Sequence, residues 1–320
     1  MRKWRRVIAA LAVAAACAPG TWLRAPVDAR PPQHVTITRI AGPATVSSAP
    51  GWRREGVWQI SAPGLRFGGF SALLALRPGS LRAFSDRSFR LTLDEPGLPN
   101  ADGSMNRQLS VRGLARHLTD IESATRDPAS GQYWLGYEQT HAIQRFTIAS
   151  LPAGERLLAG LVDWPENAGI EAMVRLADGR FVIIPEAGDT GLIFARDPVA
   201  GGAPQRFRFR LPGKGYVATD AAQLPDGRLL VLLRRLEWPG REAWPPFSAM
   251  LAIAPPPRPG GIFAPRLVLR LDAVVPRENY EGLALRARDD GQVDVWLISD
   301  DNFSVFQRTL LARLVFDPAG

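Results

Sequence analysis

A repeat of about fifty residues restricts the fold of this chain more than any other feature. Five segments align: Gly69–Leu73, Asp120–Ala124, Gly169–Met173, Thr219–Gln223 and Tyr280–Ala284. With Ser71, Glu122, Glu171, Asp220 and Glu281 taken as equivalents, the spacings are 51, 49, 49 and 61. Each segment opens an apolar run that ends in a turn, such as Pro78-Gly79, Asp178-Gly179 or Asp226-Gly227, and a second apolar run follows. Asp-Gly between two apolar runs marks a β-hairpin. A third β-rich run comes next in several repeats: Ile143–Ile148, Gly191–Ala195, Met250–Ile253 and Leu310–Phe316. Three or four antiparallel strands recurring at this interval are the pattern of a β-propeller. About 300 residues follow the first eighteen, which leaves room for six blades. Residues 35–62 are expected to build the blade that has no matching segment. The expectation is therefore an all-β, six-bladed propeller of mainly antiparallel blades over residues 35–320. A pair of β-sandwiches would not space its strands so evenly.

Blade geometry then places the polar residues. The start of one strand and the end of its antiparallel partner share an edge, and the first strands of all blades surround one axis. Ser71, Glu122, Glu171, Asp220 and Glu281 are thus expected at one mouth of the central channel. Asp86, Glu138, Glu186, Arg234 and the Asp300-Asp301 pair, at the ends of the second strands, are expected to join them, with His141 near the rim. Several carboxylates around one cavity repel each other and call for water, arginine or a metal. Oxygen-only donors favour Ca²⁺ or Mg²⁺. The expected metal ligands are Glu122, Glu171, Asp220 and Glu281. Asp300 or Asp301 would serve as a further ligand or general base, and Arg234 or Arg308 would hold an anionic group. The plain alternative is that such acids bond backbone N–H groups and brace neighbouring blades.

The N-terminus reads as an address. Arg2, Lys3, Arg5 and Arg6 precede an apolar, alanine-rich stretch over 7–18, the pattern of an export signal. Ala14-Ala15-Ala16-Cys17 is weakly similar to a lipobox, which would anchor the protein through Cys17. Residues 19–34 read as a linker. The expected destination is the periplasm or the extracellular space, with no transmembrane segment in the mature chain. Cys17 is the single cysteine, which excludes an internal disulfide and a cysteine-based zinc cluster. The net charge is +8, but only two of the 39 basic residues are lysines and the arginines are scattered, so nucleic acid is not an expected partner. There is no GxSxG elbow, P-loop, GxGxxG unit or HExxH motif. His34, His117 and His141 stand in no evident relation to a nucleophile. Trp134 and Trp296 fall in equivalent second strands and read as core.

Three stretches carry a family resemblance: Asn279-Tyr280-Glu281-Gly282-Leu283-Ala284, Val295-Trp296-Leu297-Ile298-Ser299-Asp300-Asp301-Asn302-Phe303 and Gln307-Arg308-Thr309-Leu310-Leu311. They resemble the C-terminal signature of the phytase-like proteins, exported bacterial β-propellers described by an esterase-like activity of phytase. Phe84-Ser85-Asp86-Arg87, Asp120-Ile121-Glu122 and Gly169-Ile170-Glu171-Ala172 match earlier repeats, so the resemblance covers about residues 50–317. It implies a propeller, export and hydrolysis of an ester or phosphate ester. True propeller phytases carry an acidic run before Pro-Ala, whereas Arg126-Asp127-Pro128-Ala129 has lost it, which argues against phytate. The leading expectation is a monomeric, exported, metal-assisted hydrolase of a small anionic or ester substrate. A rival places Glu281 with Asn279 or Asn302, similar to the metal set of propeller sugar lactonases. A second rival is a non-catalytic periplasmic binding module, since a propeller fold does not by itself fix function.

Overall fold

The computed structural model describes residues 30–46, 49–109, 120–165, 168–237 and 245–318. The segment read as an export signal, Cys17, most of the stretch read as a linker and His117 lie outside the described residues. The chain opens with β1 (Thr36–Ala41), β2 (Ala44–Thr45) and β3 (Trp52–Ser61). Blade I follows as β4 (Phe70–Ala75), β5 (Ser80–Ser85), β6 (Phe89–Asp94) and β7 (Gly103–Arg107). Blade II is β8 (Ile121–Arg126), β9 (Tyr133–Tyr137), β10 (Ala142–Phe146) and β11 (Pro152–Leu157). Blade III is β12 (Ile170–Arg175), β13 (Phe181–Pro185), β14 (Thr190–Phe194) and β15 (Gln205–Phe209). Blade IV begins with β16 (Val217–Gln223), β17 (Leu229–Leu236) and β18 (Phe247–Ala254). The chain then lends β19 (Ile262–Phe263) to blade III, parallel to β15, and completes blade IV with β20 (Arg266–Arg270). Blade V is β21 (Asn279–Ala287), β22 (Val293–Asp300) and β23 (Leu310–Phe316).

There are five blades, not six. Residues 35–62 do not form a blade of their own. Instead β3 pairs antiparallel with β23, from Phe316↔Trp52 to Leu310↔Gln59, and β1 pairs with β3 outside it. The N-terminus thus finishes the blade that the C-terminus starts, which closes the ring and satisfies the outer edge of β23. Dividing chain length by the repeat overcounted because β1–β3 and the connections between blades consume residues without adding an inner strand.

The hairpin signals work as read. Asp178 and Asp226 each accept the amide two residues on, from Arg180 (3.0 Å) and Arg228 (2.9 Å). The glycines that follow, Gly179 and Gly227, sit at φ 89° and 87°, which a Cβ would strain. Each turn then joins the first and second strands of its blade with the apolar faces in register.

The core is divided into five clusters, one in each gap between blades. Leu73, Phe70 and Leu81 of blade I meet Trp58, Trp296 and Ile298 of blade V. Leu74 and Phe84 of blade I meet Tyr133 and Leu135 of blade II, and the other three gaps repeat the arrangement. Sheet-on-sheet burial therefore orients every blade. Trp134 is buried and donates to Asp197 at 2.8 Å. Trp296 is fully buried, with Trp58 6.1 Å away ring to ring and Arg313 over its face. Trp296→Ala is expected to lower the unfolding free energy by about 3–5 kcal/mol, as large core aromatics do when truncated. Urea titration checks this, and a loss under about 1 kcal/mol would contradict the packing described.

Candidate functional site

The first strand of every blade lies innermost, since β4, β8, β12, β16 and β21 contact one another around the axis. All five carry a break in register at the same place. The ladder to the second strand skips one residue between Phe70 and Ala72, Ile121 and Ser123, Ile170 and Ala172, Ala218 and Asp220, and Tyr280 and Gly282. The skipped residues are Ser71, Glu122, Glu171, Thr219 and Glu281. A bulge leaves its extra residue unpaired and re-aims its side chain. These five residues form one ring at one mouth of the channel.

In the fourth blade the equivalence moves by one residue, from Asp220 to Thr219. Asp220 is fully buried; one oxygen accepts the amide of Ala221 (2.8 Å) and the other the amide of Leu283 in blade V (2.7 Å). An innermost strand has one edge without a ladder partner, and its amides need acceptors. Asp220 supplies one and braces blade IV against blade V, so both of its oxygens are engaged by the backbone.

The ends of the second strands form another ring: Asp86, Glu138, Glu186, Arg234 and Asp300. Asp86, Glu138, Arg234 and Asp300 stand opposite Gly69, Asp120, Val217 and Asn279, and Glu186 follows the Ile170↔Pro185 pair. Carboxylate oxygens of Asp120, Glu122 and Glu138 lie within 4.8 Å of one another, as do those of Glu138, Glu171 and Glu186. Glu138 belongs to both trios. On the other side Arg234 Nη2 is 3.4 Å from Glu186 and 3.5 Å from Glu281. Asn279 donates to Glu281 at 2.8 Å, and the Ser71 hydroxyl also bonds it. The buried polar atoms with no hydrogen-bond partner among the described residues include Thr219 Oγ1, Asn279 Oδ1 and Arg234 Nε of these rings, and His141 Nδ1 beyond Glu138.

The crowding shifts proton equilibria upward. Burial, then the charges of Asp120 and Glu186, push Glu138 up to about 7. Burial pushes Asp86 up to about 6 against a hydrogen bond from Ser85. Burial raises Glu122 well above its ordinary value, with Glu171 and Glu281 adding to it. Glu171 is raised by burial and by Glu186, Glu281 and Glu138. Asp300 is raised by burial and by Glu281. Burial works against the Arg234 charge, but Glu281, Glu171, Glu186 and Glu122 outweigh it and hold the guanidinium above its ordinary value.

Two residues expected at the site do other work. Asp301 accepts the amides of Gly69 and Phe303 and the Thr309 hydroxyl, each at 3.0 Å, and so ties the 301–308 loop to blade I. Arg308 Nε donates to the buried Glu278 at 2.6 Å. Asp300 turns one oxygen to the Asn302 amide (2.7 Å), an Asx turn, and remains at the ring. Asp120 received no role from the sequence. The signal for it was its place two residues before the bulged Glu122, matching Asn279 before Glu281.

A family model for phytase-like proteins, described as "esterase-like activity of phytase", matches residues 65–303. The chain belongs to the phytase-like family. The phytase-like match spans blades I–IV and the first two strands of blade V, and so contains both rings. A comparison with curated proteins returns no match. Among solved structures the chain is similar to hydrazine synthase of Kuenenia stuttgartiensis, at 10% identity and TM-score 0.40 over 79% of this chain. It spans 64% of the length of that protein. It is also similar to a luciferin-regenerating enzyme (11% identity, TM-score 0.45, 89% of this chain and 96% of that one). The PQQ-bound aldose sugar dehydrogenase of Streptomyces coelicolor gives 11% identity and TM-score 0.45 over 89% and 100% of the two chains. Likeness at this level carries nothing about chemistry. No helix among the described residues is long and apolar enough to cross a membrane.

The raised carboxyls give a signed pH dependence. A carboxyl whose folded value lies above its unfolded one favours the folded state while protonated, and that contribution is lost as pH rises. For Glu138 the window runs from 4.5 to about 7. Unfolding free energy is expected to fall as pH rises through that window. A flat profile in urea titrations at these pH values would contradict the crowding. Asp220→Ala leaves two buried amides without acceptors and is expected to lower stability by about 2 kcal/mol or more, read by the same titration.

Proposed function

We propose that the acidic mouth holds a hard divalent cation, Ca²⁺ or Mg²⁺, and hydrolyses an ester or phosphate ester beside it. The observation that supports this most is the pair of carboxylate trios sharing Glu138, Asp120–Glu122–Glu138 and Glu138–Glu171–Glu186. Their oxygens are spaced as ligands of one ion are, and hard oxygen donors without histidine or cysteine suit these cations. The upward shifts fit the same reading, because like charges this close need a compensating positive charge. A cation bound there would polarise a phosphoryl or carbonyl oxygen and acidify a water.

The chain supplies the remaining work. Arg234 shares one nitrogen between Glu186 and Glu281 while its Nε has no hydrogen-bond partner among the described residues, so the guanidinium has a donor left for an anionic oxygen of the substrate. Asp300, held at one oxygen by Asn302 and raised well above its ordinary value by burial and by Glu281, holds a proton more readily than a free carboxyl and can pass it to a leaving oxygen. Thr219 and Asn279 offer Oγ1 and Oδ1 to orient bound groups.

The test pairs calcium titration calorimetry with a panel of nitrophenyl esters and nitrophenyl phosphate. Glu138→Gln is expected to weaken cation binding at least tenfold and turnover about a hundredfold, in the range of lost metal-site partners. Asp220→Asn is expected to leave cation affinity unchanged. Undiminished binding in Glu138→Gln, or no metal-dependent turnover in the parent, removes the proposal. A lactonase reading draws on Asn279 Oδ1, which has no hydrogen-bond partner among the described residues and lies beside Glu281 on blade V. Turnover of sugar lactones but of no nitrophenyl substrate would favour it.

A further inference from the structure

The other end of the channel is built differently. A cavity of about 540 Å³ opens there, walled by the far ends of all five innermost strands and the turns that follow. Its volume lies in the range of small-molecule sites. The walls are mostly apolar, with Leu74, Val174, Leu224 and Leu285 among them, and the charged side chains on it are Arg126, Arg175 and Arg286. Arg126 and Glu122 stand four residues apart on β8, so the two mouths lie roughly 13 Å apart along the strand.

The three guanidiniums differ in how they are compensated. Arg286 is paired with Glu95, and it donates to the carbonyls of Arg77 and Ser80. Arg175 lies 3.5 Å from Asp127. Arg126 meets no carboxylate within ion-pair distance among the described residues. Its Nη1 donates to the carbonyls of Ala75 and Leu76 (2.6 and 2.8 Å), which fixes the head at the rim. The neighbouring Asp127 is taken up by Arg175, the Ser130 hydroxyl and the Ala129 amide. Burial lowers the Arg126 value, as expected for a half-buried cation that lacks a full counter-charge. The Arg126-Asp127-Pro128-Ala129 turn, where the sequence departs from true propeller phytases, forms part of this wall.

We propose that this second mouth is a binding site for a small amphiphilic anion, a carboxylate with an apolar tail. The tail lies against the leucines and valine of the channel wall, and the carboxylate accepts from the free nitrogens of Arg126. This site is separate from the acidic mouth and does not rest on the hydrolase reading. Arg126 fixes the sign of the ligand's charge, and the apolar wall fixes the rest of its character.

Isothermal titration of the full chain with octanoate tests the site, with octanol as the uncharged control. Saturable one-to-one binding of octanoate is expected, with octanol at least about tenfold weaker, the worth of one charge-assisted hydrogen bond. Arg126→Gln is expected to weaken octanoate at least about tenfold, while Arg126→Lys retains most of the affinity. Ala222→Trp, which fills the mouth and leaves Arg126 in place, is expected to abolish binding. Glu138→Gln is expected to bind octanoate as the parent does. If Arg126→Gln does not fold, the octanoate-to-octanol ratio and Ala222→Trp carry the test. No saturable binding, equal affinity for octanol, full affinity in Arg126→Gln or Ala222→Trp, or loss in Glu138→Gln each overturns it.

Discussion

In every innermost strand the ladder to its neighbour skips one residue near the same mouth, and the geometry of the acidic site follows from that skip. An unbroken β-strand alternates its side chains between two faces. In a propeller both faces of an inner strand belong to the gaps between blades, where apolar side chains such as Leu73 and Leu74 are buried in the two neighbouring clusters. A charged side chain held to that alternation would enter a hydrophobic gap. The bulge releases Glu122, Glu171 and Glu281 from the alternation and turns them toward the axis. The local loss of ladder pairing is offset by braces such as Asp220, which takes the Leu283 amide across the next gap.

Convergence of this kind is electrostatically expensive. Five rigid sheets hold the carboxyls close together and away from water, and burial, with like charge beside it, raises the proton affinity of Glu122, Glu138, Glu171 and Asp300. Arg234 relieves part of the strain at Glu186 and Glu281. The Asp120–Glu122–Glu138 trio has no arginine within ion-pair distance among the described residues, so its charge calls most for a cation. The opposite mouth reverses the balance, with Arg126 held by carbonyls rather than by acids. One channel therefore presents two chemically opposed ends, kept apart by apolar wall.

Ring closure makes these positions reliable. Pairing of β3 with β23 links the two ends of the chain through ladder hydrogen bonds, and Trp58 from β3 enters the same gap as Trp296 from β22. Blade V could not hold Glu281 and Asp300 in place if its outer strands were free to separate. The N-terminal segment thus supports a site to which it contributes no side chain.

Much of this was legible in the residues. The fifty-residue spacing, the Asp-Gly turns, the buried Trp134 and Trp296 and the second-strand acids all follow from local patterns, because hairpins are made by neighbours in sequence. The family also showed in its C-terminal motif. Blade number was not legible, since nothing local tells β1–β3 to lie on β23 rather than to start a sheet. Nor was the choice of Thr219 over Asp220: a bulge is a property of pairing, and the two residues differ only in which one the ladder skips. Asp120 opens a repeat but carries no role in the sequence for the same reason, as its role depends on Glu138 arriving from the next strand. The order of residues determined which strands form and which side chains carry charge. Only the closed ring decided which of those charges meet, because distance between blades is set by sheet packing across gaps that no short stretch of sequence spans.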